Sequence, residues 1–282
     1  MTQKIKILII FPLLSFKIFA QTPGLGVTDI DGNQYATVII GTQEWMAENL
    51  KVSKYSNGDL IPNVTDDTQW SSLTTNAWSY FSNNNQYENP YGKLYNWYTA
   101  ADQRNVCPTE WHVPTYDEWS TLINYLDPNA NGGSVVPNTA GGKMKSTGLQ
   151  FWNSPNIGAT NESGFSGLPG GSRNFFGDGI CYYINFYGLW WSSTDVTGII
   201  AWSLRLNYSD GSAEKITNFD KSCGLSIRCV KDAVTGIETI QLPNKTLLKI
   251  TDLLGRDTEF VPNTVQIYYY SDGSVAQEFS IE

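Results

Sequence analysis

One histidine, His112, stands in the 282 residues, so any scheme in which imidazole relays a proton must run through that single side chain. It sits between Trp111 and Val113, just ahead of a helix start, where orienting a turn is its expected work. Four cysteines are present but no two are spaced C-x-x-C, which removes the usual thiolate clamp for zinc. Charge is sparse, with 16% charged residues and a formal net charge of -9. That balance argues against nucleic acid, whose phosphates call for many lysines and arginines. No stretch approaches the ~20 apolar residues of a membrane-spanning helix. The Gly-Gly pairs at 132–133, 141–142 and 170–171 lack the following Lys-Ser/Thr of a phosphate cradle. Carboxylates for glycoside cleavage exist (Glu44, Glu48, Glu110, Glu118, Glu162 and Asp195), but none stands in a telling context. The expectation is therefore a protein that is not an enzyme and needs no cofactor or metal.

What is present begins with an address. Lys4 and Lys6 precede a short apolar run from Ile7 to Leu14, and Ala20 offers a small residue before Gln21. This is the layout of a secretory signal peptide over residues 1–20. Its removal takes away Lys4, Lys6 and Lys17 and no acid, moving the formal charge from -9 to -12. The expected mature protein is exported and soluble. In an oxidising compartment, Cys107, Cys181, Cys223 and Cys229 are expected to form two disulfides. Three connectivities are open, and spacing does not choose among them. The nested one, Cys107–Cys229 with Cys181–Cys223, would close the domain and one internal loop.

Ten Trp, sixteen Tyr and twenty-five Gly point to an aromatic-rich, loop-rich, mostly antiparallel build rather than a helical bundle. After a linker at 21–26, residues 27–35 read as a hairpin turning at Asp31-Gly32, and 36–40 as a β-branched strand. The Asp29-x-Asp31-x-Asn33 spacing resembles a calcium loop. Its glycine stands fourth instead of sixth, so a β-turn is expected and calcium is unsupported. Residues 53–90 read as loop and short strands. Leu94, Trp97, Tyr98 and Ala101 share one helical face and predict a first helix. Thr115 and Glu118 form a capping box for a second, with Trp119, Leu122, Ile123 and Leu126 as its apolar stripe and Asp127-Pro128 as its stop. Residues 128–188 read as long ordered loops. Strands are expected at 189–193, 201–207 and 225–230.

These words occur together in a known order. Gln43-Glu44-Trp45-Met46-Ala47-Glu48-Asn49-Leu50, Tyr91-Gly92-Lys93-Leu94-Tyr95-Asn96-Trp97 and Cys107-Pro108-x-x-Trp111-His112-Val113-Pro114 come first. Gly141-Gly142-Lys143-Met144-Lys145, Phe151-Trp152-Asn153-Ser154-Pro155-Asn156 and Gly164-Phe165-Ser166-Gly167-Leu168-Pro169-Gly170-Gly171 follow, then Trp190-Trp191-Ser192-Ser193-Thr194 and Arg228-Cys229-Val230. Residues 27–232 thereby resemble the Fibrobacter succinogenes major paralogous domain family. The resemblance implies an α+β, C-type-lectin-like fold near the sulfatase-modifying-factor branch, with two helices, curled antiparallel strands, long ordered loops and adjacent termini. A Cys107–Cys229 bridge suits that geometry. Cys181 and Cys223 are additions to the pattern, and pairing with each other is their natural expectation. Sulfatase-activating relatives use a C-x4-C pair, whereas Cys223 and Cys229 are spaced C-x5-C, which argues against oxidase chemistry.

Beyond a linker at 233–243, residues 244–282 read as a small all-β segment. Its Asp252-Leu253-Leu254-Gly255-Arg256 turn resembles an abbreviated type IX secretion sorting domain. That resemblance implies contact with the secretion machinery and release to, or fixation on, the cell surface. The expected function is a secreted or cell-surface module that binds a glycan or a surface protein through its loops. Trp152, Asn153, Asn156, Arg173, Asn174, Asp178, Trp190, Trp191 and Asp195 supply the aromatic faces, amides and carboxylates for that work. A structural or adhesive envelope protein is the alternative, and a formylglycine-generating-like or glycoside-active enzyme the third. The Glu-Pro-Asn, Gln-Pro-Asp and Trp-Asn-Asp signatures of calcium-dependent lectins are absent.

Overall fold

The computed structural model describes residues 21–232, 247–261, 264–271 and 275–279. The signal peptide expected at 1–20 and the linker expected at 233–243 lie outside them. The chain divides into two compact units, one up to Ala233 and one from Val234 onward. The build is mixed α/β, with many short strands and few helices.

In the first unit, Thr37–Ile40 and Gln43–Met46 form an antiparallel pair around the Gly41-Thr42 turn. Thr22–Pro23 adds to one edge and Val230–Asp232 to the other. The two ends of the unit thus meet in one sheet. The Cys107–Cys229 disulfide, spanning 122 residues of sequence, ties the same edge, and His112 bridges Val230 beside it.

A second antiparallel sheet takes Tyr187–Asp195, Ile200–Asn207 and Ala213–Asp220 in that order. The helix Tyr116–Leu126 begins with the expected capping box: Thr115 accepts from the Glu118 amide and Glu118 accepts from the Thr115 amide. The Glu118 carboxylate also meets His112, which gives the lone imidazole the turn-orienting contact expected of it. Trp119, Leu122, Ile123 and Leu126 are buried in a core with Trp45, Phe165, Trp190, Leu204 and Leu206. Trp45 and Trp119 approach to 4.6 Å between ring centroids.

Three expectations need correction. The face shared by Leu94 and Ala101 is not one helix: Leu94–Tyr95 pairs with Trp78–Ser79 as strand, and only Trp97–Ala100 is helical. The cause is Asn96, whose side chain accepts from the Thr99 amide and so starts the helix after it. The strand Ala213–Asp220 was not expected, because its apolar residues alternate poorly. Of 225–230, Leu225 and Ser226 make only isolated bridges, to Tyr95 and Trp190, and regular pairing starts at Val230.

The segment 128–188 is held by buried cations rather than by regular pairing. Lys145 is fully buried and donates to the carbonyls of Ile157, Asn207 and Asp210 at 2.7–2.8 Å. Burial pushes its ammonium down to about 8, while the three carbonyls give each N–H a partner. Arg228, also fully buried, donates to Asn49 and to the Phe165 carbonyl and lies 4.1 Å from the Phe165 ring centroid. Each cation satisfies carbonyls that sheets and helices leave unpaired.

The second unit is a four-stranded antiparallel sheet ordered Asp257–Thr258, Leu247–Thr251, Val265–Tyr270, Val275–Phe279. The Asp252 side chain accepts from the amides of Leu254 and Arg256 and from the Arg256 guanidinium. The Asp-x-x-Gly-Arg word is thus a side-chain-locked turn.

Candidate functional site

Of the nine residues expected to bind, Trp152, Asn156, Arg173, Asn174, Trp190 and Trp191 are buried. Trp190 and Trp191 are 0% exposed and donate their indole N–H groups to Asn49 and to the Tyr95 carbonyl, both at 2.8 Å. Trp152 is buried and donates to Ser146 and to the Gly167 carbonyl. Asn156 is buried and ties the carbonyls of Ser146 and Gly148. Arg173, 0% exposed, donates to the carbonyls of Gly179, Val64 and Thr65 and to Asp67, and stacks 4.4 Å from the Trp70 centroid. None of these six, Asn174 included, offers a face to a ligand.

Outside the tryptophans, Asn156 and Arg173, the rest separate. Asp195 is exposed and pairs with Lys221 at 2.7 Å. The Asn153 amide donates to the Asn185 carbonyl. Asn174 accepts from the Gly179 amide and donates to Ser222. Asp178 accepts from the Ile180 amide and from the Tyr182 hydroxyl. Asn174 and Asp178 therefore share one loop, which Arg173 anchors from beneath.

That loop, 174–187, carries an aromatic surface outside the nine expected residues. Phe175 roots it, with its ring 5.4 Å from Phe219 at the core. Phe176 is 64% exposed, at 4.8 Å from Phe175 and 4.9 Å from Tyr182, both edge-on. Tyr183 stands at the centre, 5.1 Å from both Phe175 and Tyr187. Its φ of 65° lies in the left-handed region, which for an aromatic residue costs roughly 1–3 kcal/mol. The amides of Phe186 and Tyr187, both donating to its carbonyl at 3.1 Å, hold it there. Gly179 is required for close approach: a Cβ would come 1.9 Å from the Asp67 carbonyl oxygen. Edge-to-face contacts of this kind stabilise by about 0.5–1.5 kcal/mol each beyond area burial, so the aromatic cluster is preassembled. The sequence signal was there, in Phe175-Phe176 and Tyr182-Tyr183 flanking two glycines.

Electrostatics here is local. The Tyr182 hydroxyl, with smaller help from the Ile180 amide, holds the Asp178 carboxyl below its ordinary value. The same bond pushes the Tyr182 phenol up. Burial raises the Cys181 thiol and pushes Cys223 up to about 12, so neither is a thiolate nucleophile at neutral pH.

The expected Cys181–Cys223 bridge does not form; both are free thiols. Arg173 pairs with Cys181 on one side and with Gly224 on the other. The segments bearing the two cysteines therefore flank a third, two strand spacings or ~10 Å apart. A disulfide reaches only about 7 Å between Cα atoms. The Cys107–Cys229 bridge is present as expected.

No helix among the described residues is long and apolar enough to cross a membrane. No curated protein and no solved structure matched the chain. The family model described as the Fibrobacter succinogenes major domain matches residues 38–231, most of the first unit and inside the span expected from its ordered words. The chain belongs to the Fibrobacter succinogenes major domain family.

Proposed function

We propose that this chain is an exported, surface-held binding module of C-type-lectin-like build, recognising carbohydrate with the aromatic surface of loop 174–187. One observation carries the reading: Phe176, 64% exposed, stands beside Tyr182 and the Asp178 carboxylate on a loop whose base is fixed by a buried arginine. A sugar ring offers a C–H face to an aromatic side chain and hydroxyls to a carboxylate, and a preassembled surface pays little entropy on binding. Binding is calcium-independent, since the calcium-lectin signatures are absent. The leader at 1–20 and the Asp-x-x-Gly-Arg turn of the second unit support export through a type IX route.

A second reading, protein–protein adhesion, is favoured by exposed Ile180 and Phe186 near the same surface. A glycan array probed with the purified chain, with calcium and with chelator, separates the two. Reproducible hits that persist in chelator, with a subset lost in Phe176→Ala, support carbohydrate recognition by the loop. A blank array from folded protein sinks it and leaves adhesion.

A further inference from the structure

A groove of about 290 Å³ lies elsewhere in the first unit and uses none of the loop 174–187 side chains. Its apolar lining is Ile39, Leu126, Pro128 and the ring of Tyr125. Tyr125 sits in the last turn of the capped helix, on the side away from its buried stripe, and is 56% exposed. Its ring rests against the backbone of Gly41, where a Cβ would approach to 2.8 Å. A side chain at Gly41, whose φ is 63°, would push the ring out of place.

The polar lining is fixed. Lys143 donates to the Leu126 carbonyl at 2.8 Å and meets Glu162 at 3.2 Å. Gln21 is held by a 2.7 Å bond to the Asn161 carbonyl, and Ser163 lies beside them. The pairing of Lys143 with Glu162 selects against ions. An anion drawn by the ammonium meets the carboxylate, and a cation meets the reverse. A neutral ligand whose hydroxyls both donate and accept uses both partners, and the apolar lining with its aromatic ring suits a C–H face. The volume lies at the low end for a small-molecule pocket, ~300–1,000 Å³, which limits the ligand to about one ring.

We propose that this groove binds a single neutral pyranose residue, stacked on Tyr125 with its hydroxyls on Lys143 and Glu162. It is a second binding site and does not depend on the surface at Phe176. The test is saturation-transfer NMR and titration of the purified chain against methyl glycosides of neutral hexoses, with a uronic acid and an amino sugar as charged controls, at low and high salt. Neutral glycosides are expected to bind with little change on adding salt. Tyr125→Ala is expected to weaken them roughly tenfold, and Glu162→Gln and Lys143→Met to weaken them as well. The titrations are repeated in Phe176→Ala, where the loop surface does not contribute, and the same losses are expected there. Tyr125 is exposed, so its replacement leaves the fold intact, which circular dichroism checks. The proposal is overturned by absence of neutral binding in Phe176→Ala, by binding of the charged sugars alone, or by neutral binding in Phe176→Ala that survives the addition of Tyr125→Ala.

Discussion

The aromatic residues of this protein fall into two populations with different duties. Trp70, Trp78, Trp152, Trp190 and Trp191 are buried, and each donates its indole N–H to a named acceptor. On loop 174–187, Phe176 is largely exposed and stands edge-on to a half-buried Tyr182, with the half-buried Tyr183 tilted against both. A buried indole must find an acceptor or bear the desolvation of its N–H, so a tryptophan inside is locked into the hydrogen-bond plan of the core. A phenylalanine has no such obligation and can stand at a surface. Tryptophans therefore mark the framework here, and the phenylalanine–tyrosine run marks the face.

The contrast can be broken most severely from the inside. Trp190→Ala is expected to cost about 3–5 kcal/mol through cavity and lost transfer energy. Arg173→Met, which strands the carbonyls of Val64, Thr65 and Gly179, is expected to cost a similar ~3–5 kcal/mol. Urea unfolding measures both, and a loss below about 1 kcal/mol in either would show that burial had been misjudged. Next comes Cys107→Ser, expected to remove about 2–5 kcal/mol by freeing a 122-residue loop. Cys181→Ser and Cys223→Ser should not reproduce that loop effect, since neither closes a loop.

A smaller effect tests the helix that links framework and sheet. Thr115→Ala should cost ~1 kcal/mol. The same box sets a pH dependence. Burial alone would raise the Glu118 carboxyl, but hydrogen bonds from His112 and Thr115 outweigh it and hold the value down. A carboxylate lowered in the folded state contributes stability above its unfolded pKa of about 4.3, and that contribution fades as pH falls through the folded value. Thermal midpoints measured from neutral pH downward should therefore drop less steeply below about pH 4.3 in Glu118→Gln than in the parent. Identical acid limbs would sever the box from acid stability. Last, Phe176→Ala should lower stability by about 1 kcal/mol, the low end for its two largely exposed edge contacts, while removing the array hits that depend on loop 174–187. A large loss of stability there would make the exposed ring a structural one and erase the distinction drawn above.

Local rules made much of the fold legible. The Thr115–Glu118 box placed its helix correctly because capping depends on residues within one turn. The Asp31-Gly32 turn was right for the same reason: Asp29 accepts from the amides of Asp31 and Asn33, and Gly32 donates back to the Asp29 carbonyl. The false helix at Leu94–Ala101 shows the limit of periodicity, since an i, i+3, i+4, i+7 pattern does not see that Asn96 caps a later start.

Binding residues were legible by type and not by place. Trp152, Arg173, Trp190 and Trp191 are the chemical kinds that hold sugars, and also the kinds that fill a core or satisfy loop carbonyls. Sequence alone determined the family, the capped helix and the hairpin turns, because each rests on neighbouring residues or on ordered words. The bridge between Cys107 and Cys229 is implied by the family resemblance, while the cysteines themselves leave three connectivities open. Only tertiary structure decided that Arg173 would stand between Cys181 and Cys223, that tryptophans would turn inward and Phe176 outward, and that Tyr125, Lys143 and Glu162 would share a groove. Those outcomes depend on which distant carbonyls and rings arrive beside each side chain, and burial is a property of the assembled chain rather than of any residue in it.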